Sequence, residues 1–148
     1  MNLVFLNGER FDTLGLYPVD QQSSFGEHVR KLVALRRKVR DIVYQGRFRD
    51  VLGLSGTPQR VEARLFVREG LGAVVTIVDR RGERAAWDLR VDTTALGGRP
   101  GAAGAVGMAN LLLLDGSEKP LEVRRDGEAS VVTVEPATEV CAVRLQYP

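Results

Sequence analysis

The sequence predicts a mainly β protein with one long α-helix: an antiparallel β-sandwich of about seven strands preceded by a βα segment. Three observations point to it. Residues 23–44 repeat apolar side chains at helical spacing, and after Gly46 the repeat shortens to two. Asp-Gly dipeptides at 115–116 and 126–127 then punctuate short apolar runs, as hairpin turns do.

The chain begins with a continuous apolar run, Leu3, Val4, Phe5 and Leu6, followed by Asn7, Gly8 and Glu9. Such a run suits a parallel strand covered on both faces. In the helix, Phe25, His28, Leu32, Leu35, Val39 and Ile42 recur at steps of three and four and define one apolar face. Ser24 and Glu27 have the spacing of a capping box, and Gly46 is placed to end the helix in the left-handed conformation. Arg30, Lys31, Arg36, Arg37, Lys38 and Arg40 fall mainly off the stripe, so the helix is basic as well as amphipathic.

Beyond Gly46, Val61, Ala63, Leu65 and Val67 alternate with Glu62, Arg64, Phe66 and Arg68, which only an extended strand places on opposite faces. Residues 73–79 are apolar almost throughout and predict a strand buried on both sides. Trp87, Leu89 and Val91 alternate with Asp88, Arg90 and Asp92, and with Arg80 to Glu83 as a turn the two strands predict a hairpin. Residues 97–107, rich in Gly and Ala, read as a connection between sheets. Residues 111–114, 121–125, 130–135 and 140–147 predict four more strands. The implied organisation is a strand-loop-helix unit over 1–50 and a sandwich domain over 51–148.

At 148 residues, with 44% hydrophobic and 27% charged, the chain has the composition of a folded globular domain rather than of a disordered segment. Its longest apolar run is too short to cross a bilayer, so no membrane association is expected. Residues 1–6 lack the basic start and apolar stretch of a secretion signal; a complete chain would be soluble and cytoplasmic. The net charge of +2 is concentrated early: residues 1–50 hold nine Lys/Arg against six Asp/Glu. The basic helix lacks interleaved exposed aromatics, so a solvated face outweighs nucleic-acid binding. Cys141 is alone, which excludes internal disulfides, and it sits in a strand pattern that favours core packing. With one histidine and one cysteine, neither a transition-metal site nor a cofactor is expected. His28 lies on the apolar stripe, where a hydrogen-bonded packing role outweighs that of ligand or base. The glycines of 97–107 lack the Gly-Lys-Ser/Thr ending of a phosphate loop.

The order of a βα unit, a helix carrying Leu35-Arg36-Arg37, the segment Tyr44-Gln45-Gly46-Arg47-Phe48-Arg49-Asp50 and then a β-sandwich resembles the C-terminal end of barrel-type glycoside hydrolases. The run Val74-Val75-Thr76-Ile77-Val78, the strand Trp87-Asp88-Leu89-Arg90-Val91, the Leu-Leu-Asp-Gly stretch and the closing Val-Arg-Leu strand are similar to their final domain. The resemblance implies a non-catalytic accessory sandwich that packs against and stabilises a catalytic (β/α)8 barrel. A whole barrel takes about 250 residues, so at most one of its units fits here. The implied partner is that barrel, on the same or a separate chain, and an apolar surface left exposed without it would drive self-association.

A second reading is a carbohydrate-binding module, and a third is a small intact enzyme. Glu9 and Asp12 are the candidate catalytic carboxylates, because Glu9 would follow the C-terminal end of a barrel strand, the face where such sites assemble. Glycoside hydrolysis needs carboxylates on either side of the bond, which two residues on one loop rarely provide. Asn7, Tyr17 and Phe48 are the candidate sugar-binding residues. Trp87 alternates in phase with Leu89 and Val91 and so reads as core.

Overall fold

The computed structural model describes residues 2–9, 24–96 and 106–147. Its elements run α1 (Asn2–Leu6), α2 (Ser24–Val43), β1 (Arg47–Asp50), β2 (Leu54–Ser55), β3 (Val61–Arg68), β4 (Gly72–Asp79), β5 (Trp87–Asp92), β6 (Met108–Leu113), β7 (Glu118–Leu121), β8 (Val123–Asp126), β9 (Ala129–Val134) and β10 (Val140–Gln146). The strands form a six-stranded sheet in the order β1-β3-β4-β10-β6-β7 and a four-stranded sheet in the order β2-β5-β9-β8. Every pairing is antiparallel. The mainly β, sandwich-like class expected from the period-two pattern is what the chain adopts.

Alternation along each strand sends one set of side chains into the sandwich. Val61, Ala63, Leu65 and Val67 of β3, Ala73, Val75 and Ile77 of β4 and Trp87, Leu89 and Val91 of β5 meet there in one cluster. The opposite face of the larger sheet is also covered, because Leu32, Leu35, Val39, Ile42 and Val43 of α2 pack with Phe66, Val74, Val78, Leu112, Val140 and Ala142. This is why β4 is buried at every position. Burying each large aliphatic side chain of that stripe is worth about 1.5–3 kcal/mol. The apolar face of α2 therefore finds its cover within this chain. Phe25 lies outside that face and is exposed, while Val29, absent from the expected stripe, is buried.

Polar contacts fix the helix on the sheet. Arg68 donates to the Asp41 carbonyl (3.0 Å), one of the α2 carbonyls left without an intrahelical partner. Arg144 of the central strand β10 reaches the Asp41 carboxylate at 2.9 Å, and Lys38 meets Glu118 of β7 at 2.8 Å.

Several expectations are corrected. Residues 3–6 are not a strand: they belong to α1, whose Phe5 and Leu6 are fully buried. A short apolar run carries no period to separate helix from strand. Here the outcome is set by contacts to the helix's carbonyls. Arg36 donates to the Val4 and Phe5 oxygens (both 2.8 Å) and the Thr76 hydroxyl to that of Leu6 (2.7 Å).

Gly46 is not left-handed. Glycine is needed because a Cβ would collide with the Ile42 carbonyl and lie 2.7 Å from that of Val67. β4 and β5 do not form a hairpin, since β4 pairs with β3 and β10 while β5 pairs with β2 and β9. The chain changes sheets between them. It does so again between β5 and β6, although most of the expected connection at 97–107 lies outside the described residues.

Both Asp-Gly turns are present. At the second, Gly127 (φ 61°) and Glu128 form the loop between Asp126 and its partner Ala129, and only the glycine has positive φ. That is the pattern of a type II′ turn, with glycine first, rather than of Asp and Gly both left-handed. The short strands β1, β2 and β7 were not anticipated.

Candidate functional site

The turn after α1 and the end of α2 meet at one corner of the larger sheet. Gly8 lies against the Phe66 ring and Val43, so close that an added Cβ would fall 2.7 Å from the ring. Phe66 in turn packs against Phe48 of β1, with centroids 5.1 Å apart. Phe66 is buried; Phe48 and, beside the helix end, Tyr44 are about half exposed. Phe66 thus separates the turn that carries the candidates Asn7 and Glu9, both exposed, from the candidate Phe48, and the structure places all three around that one ring. Asp12 and Tyr17 lie outside the described residues.

Arg36 sits beneath this corner, 5.1 Å from the Phe5 ring centroid and 5.5 Å from that of Tyr44. Burial pushes its guanidinium below the ordinary arginine value, and Tyr44 and Glu9 act in the opposite direction. It remains a cation, because arginine starts far above neutrality. Sequence reading placed Arg36 off the stripe. The detectable signal was its spacing, since 32, 36, 39 and 43 share a helical face and Arg36 is the one charge among them.

The corner offers aromatic surface, an amide and a carboxylate, which suit stacking and hydrogen bonding. No group of three or more His, Cys, Asp or Glu among the described residues could hold a metal ion.

The remaining chemistry-bearing groups are engaged structurally. His28 Nε2 contacts the Asn2 side-chain oxygen at 2.8 Å, and the Asn2 amide donates to Glu139 at 2.8 Å. The histidine therefore ties α2 to α1. Trp87 fills the sandwich core and Tyr147 donates to the Leu96 carbonyl (2.7 Å). Cys141 is fully buried, and burial pushes its thiol up to about 12, which keeps it protonated at neutral pH. On the outer face of the smaller sheet, Asp88 accepts from Arg124 (2.8 Å) and Thr133 (2.7 Å), forming a solvent-facing network.

Asp79, fully buried at the end of β4, receives Arg81 through its side chain at 2.7 Å and its backbone N–H at 3.0 Å. Burial raises the carboxyl's pKa, but the hydrogen bonds and charge of Arg81, with Arg84 nearby, outweigh it and leave the pKa lowered. A lowered folded pKa contributes stability above the unfolded value, and that stability is lost as pH falls through the folded one. Arg81→Met is expected to cost about 2–3 kcal/mol near pH 7 by leaving a buried charge unpaired. The penalty should shrink below about pH 4 as the carboxyl protonates. Urea midpoints at the two pH values test this; an equal penalty at both would refute the assignment.

No protein-family model and no curated protein matches the sequence.

Proposed function

We propose that this chain is the non-catalytic β-sandwich region of a carbohydrate-active enzyme, and that its work is to pack against and stabilise a catalytic (β/α)8 barrel. One observation carries the docking part. Within residues 44–52, Tyr44, Phe48, Val51 and Leu52 are all about half exposed or more, with Leu52 at 66%, whereas the apolar side chains of both sheets' interiors are buried. Exposed apolar groups concentrated in one nine-residue stretch favour a protein partner. The sequence resemblance supplies the partner's class.

The chain alone is expected to self-associate through this stretch. Sedimentation should give an average mass that rises with concentration, and Phe48→Ser with Leu52→Ser should abolish the rise. A parent chain that stays monomeric throughout would remove the docking claim. The partner's class is tested separately: genomic DNA ahead of the Met1 codon should encode a (β/α)8 barrel, and an unrelated neighbourhood would overturn it.

A second reading, a carbohydrate-binding module, is favoured by the grouping of Tyr44 and Phe48 with Asn7 and Glu9. Retention on a panel of polysaccharides, lost in a Tyr44→Ala, Phe48→Ala double variant, would select it over the first.

A further inference from the structure

β1 is an edge strand of the larger sheet, and it carries charge where an interior strand would carry apolar groups. Arg47 pairs with Val67 and Phe48 with Phe66, but Asp50 then pairs with Leu65, so Arg49 is the extra residue of a β-bulge. Asp50, next to it, has a left-handed backbone (φ 56°). Bulges at sheet edges re-aim side chains away from the regular pleat. Arg47 and Arg49 both line a shallow pocket of about 240 Å³, together with Gln45, Arg68 and Glu69.

Three arginines against one glutamate leave the pocket with an excess of positive charge. Arg68 commits one nitrogen to the Asp41 carbonyl. Arg47 meets Glu69 at 3.4 Å, but both side chains are about 70% exposed, so water screens that pair and it holds neither partner firmly. Arg49 differs: its Nε is out of reach of solvent and has no hydrogen-bond acceptor. What is closed to water is closed to an oxyanion's oxygen as well, so a ligand would meet Arg49 through the part of it that lines the pocket, which no hydrogen bond or ion pair among the described residues engages. Guanidinium presents its donors in a planar fork that matches the oxygens of an oxyanion.

We propose that the β1-edge pocket binds one oxyanion group, a carboxylate, sulfate or phosphate, held chiefly by Arg47 and Arg49. The site is separate from the apolar corner and does not rest on the accessory-domain reading. Phe48, between the two arginines in sequence, stacks on Phe66 and belongs to that corner.

Titration of the full chain with inorganic sulfate, inorganic phosphate and glucuronate, followed by NMR at the arginine Nε–H resonances, tests it. Saturable shifts at Arg49 are expected with at least one probe. Arg49→Gln and Arg47→Gln should each weaken that binding about tenfold, the loss of one charge-assisted contact. Arg90→Gln, on the other sheet, should leave it unchanged. Saturation by sulfate or phosphate alone assigns a tetrahedral oxyanion, and saturation by glucuronate alone a sugar carboxylate. Absence of saturation with all three probes overturns the proposal. So does equal weakening by Arg90→Gln, which would mean that only general surface charge is sensed.

Discussion

Arg36→Ala is expected to destabilise the chain by about 3 kcal/mol, because it strips donors from two carbonyls at the buried end of α1. The Val4 and Phe5 oxygens would keep one donor each, the Glu9 N–H (3.1 Å) and the Gly8 N–H (3.2 Å), but would lose the charged one beside an apolar layer made by Phe5, Leu6 and α2. The cation also lies against the Phe5 and Tyr44 rings, so its loss removes packing as well as hydrogen bonds. Thr76→Val, which removes the hydroxyl from the Leu6 carbonyl at almost constant shape, should cost less, about 1–2 kcal/mol. Both residues serve the same five-residue helix, so the two losses should not add in a double variant. Chemical denaturation gives the energies. Hydrogen exchange at the Asn7, Gly8 and Glu9 amides, which bond back into α1, reports whether that helix has come loose. A loss below about 1 kcal/mol for Arg36→Ala would mean that α1 docks by apolar contact alone.

Gly72→Val should be at least as damaging, at about 3 kcal/mol or more. Gly72 opens β4 with φ 141°, a backbone that side chains rarely tolerate, and an added Cβ would run into the Leu145 carbonyl. It is paired with Gln146 of β10 on one side and Arg68 of β3 on the other. Neither neighbour can move without opening the middle of the sheet. Gly82, in the loop after β4, has nothing within 4 Å of such a Cβ and supplies the control: Gly82→Ala should change the melting temperature little. Similar effects at the two positions would show that the close approach at Gly72 is not what matters.

How legible these features were depended on whether local pattern or distant contact decided them. α2 and β5 follow from periodicity, because each has one face buried and one largely open, and β3 follows because its buried positions alternate with half-buried charged ones up to Phe66. The continuous apolar run of β4 was readable as a strand covered on both faces, though not what covered it. α1 was misread because its few apolar residues carry no period, and Arg36 and Thr76, remote in sequence, secure its carbonyls. β1 and β7 were missed since they are edges: Arg47 to Asp50 show no apolar face, and Pro120 of β7 withholds a donor, which a sheet tolerates only at its margin. The β4–β5 hairpin failed because adjacency in sequence does not say whether a loop returns to its own sheet. At the corner, Asn7, Glu9 and Phe48 were singled out by residue type and expected loop position. Their meeting depends on α1 being helical, which no local signal announced.

The place of β10 bears on how the molecule is made. Among the described residues, β10 is the last strand in sequence, yet it fills the middle of the larger sheet, hydrogen-bonded to β4 on one flank and β6 on the other. Until β10 has been made and has paired, β1-β3-β4 and β6-β7 can exist only as separate fragments, each with a bare strand edge of the kind that pairs with foreign chains. The larger sheet closes only when β10 takes its place between β4 and β6, so a chain in which β10 has not yet paired is the form most exposed to aggregation.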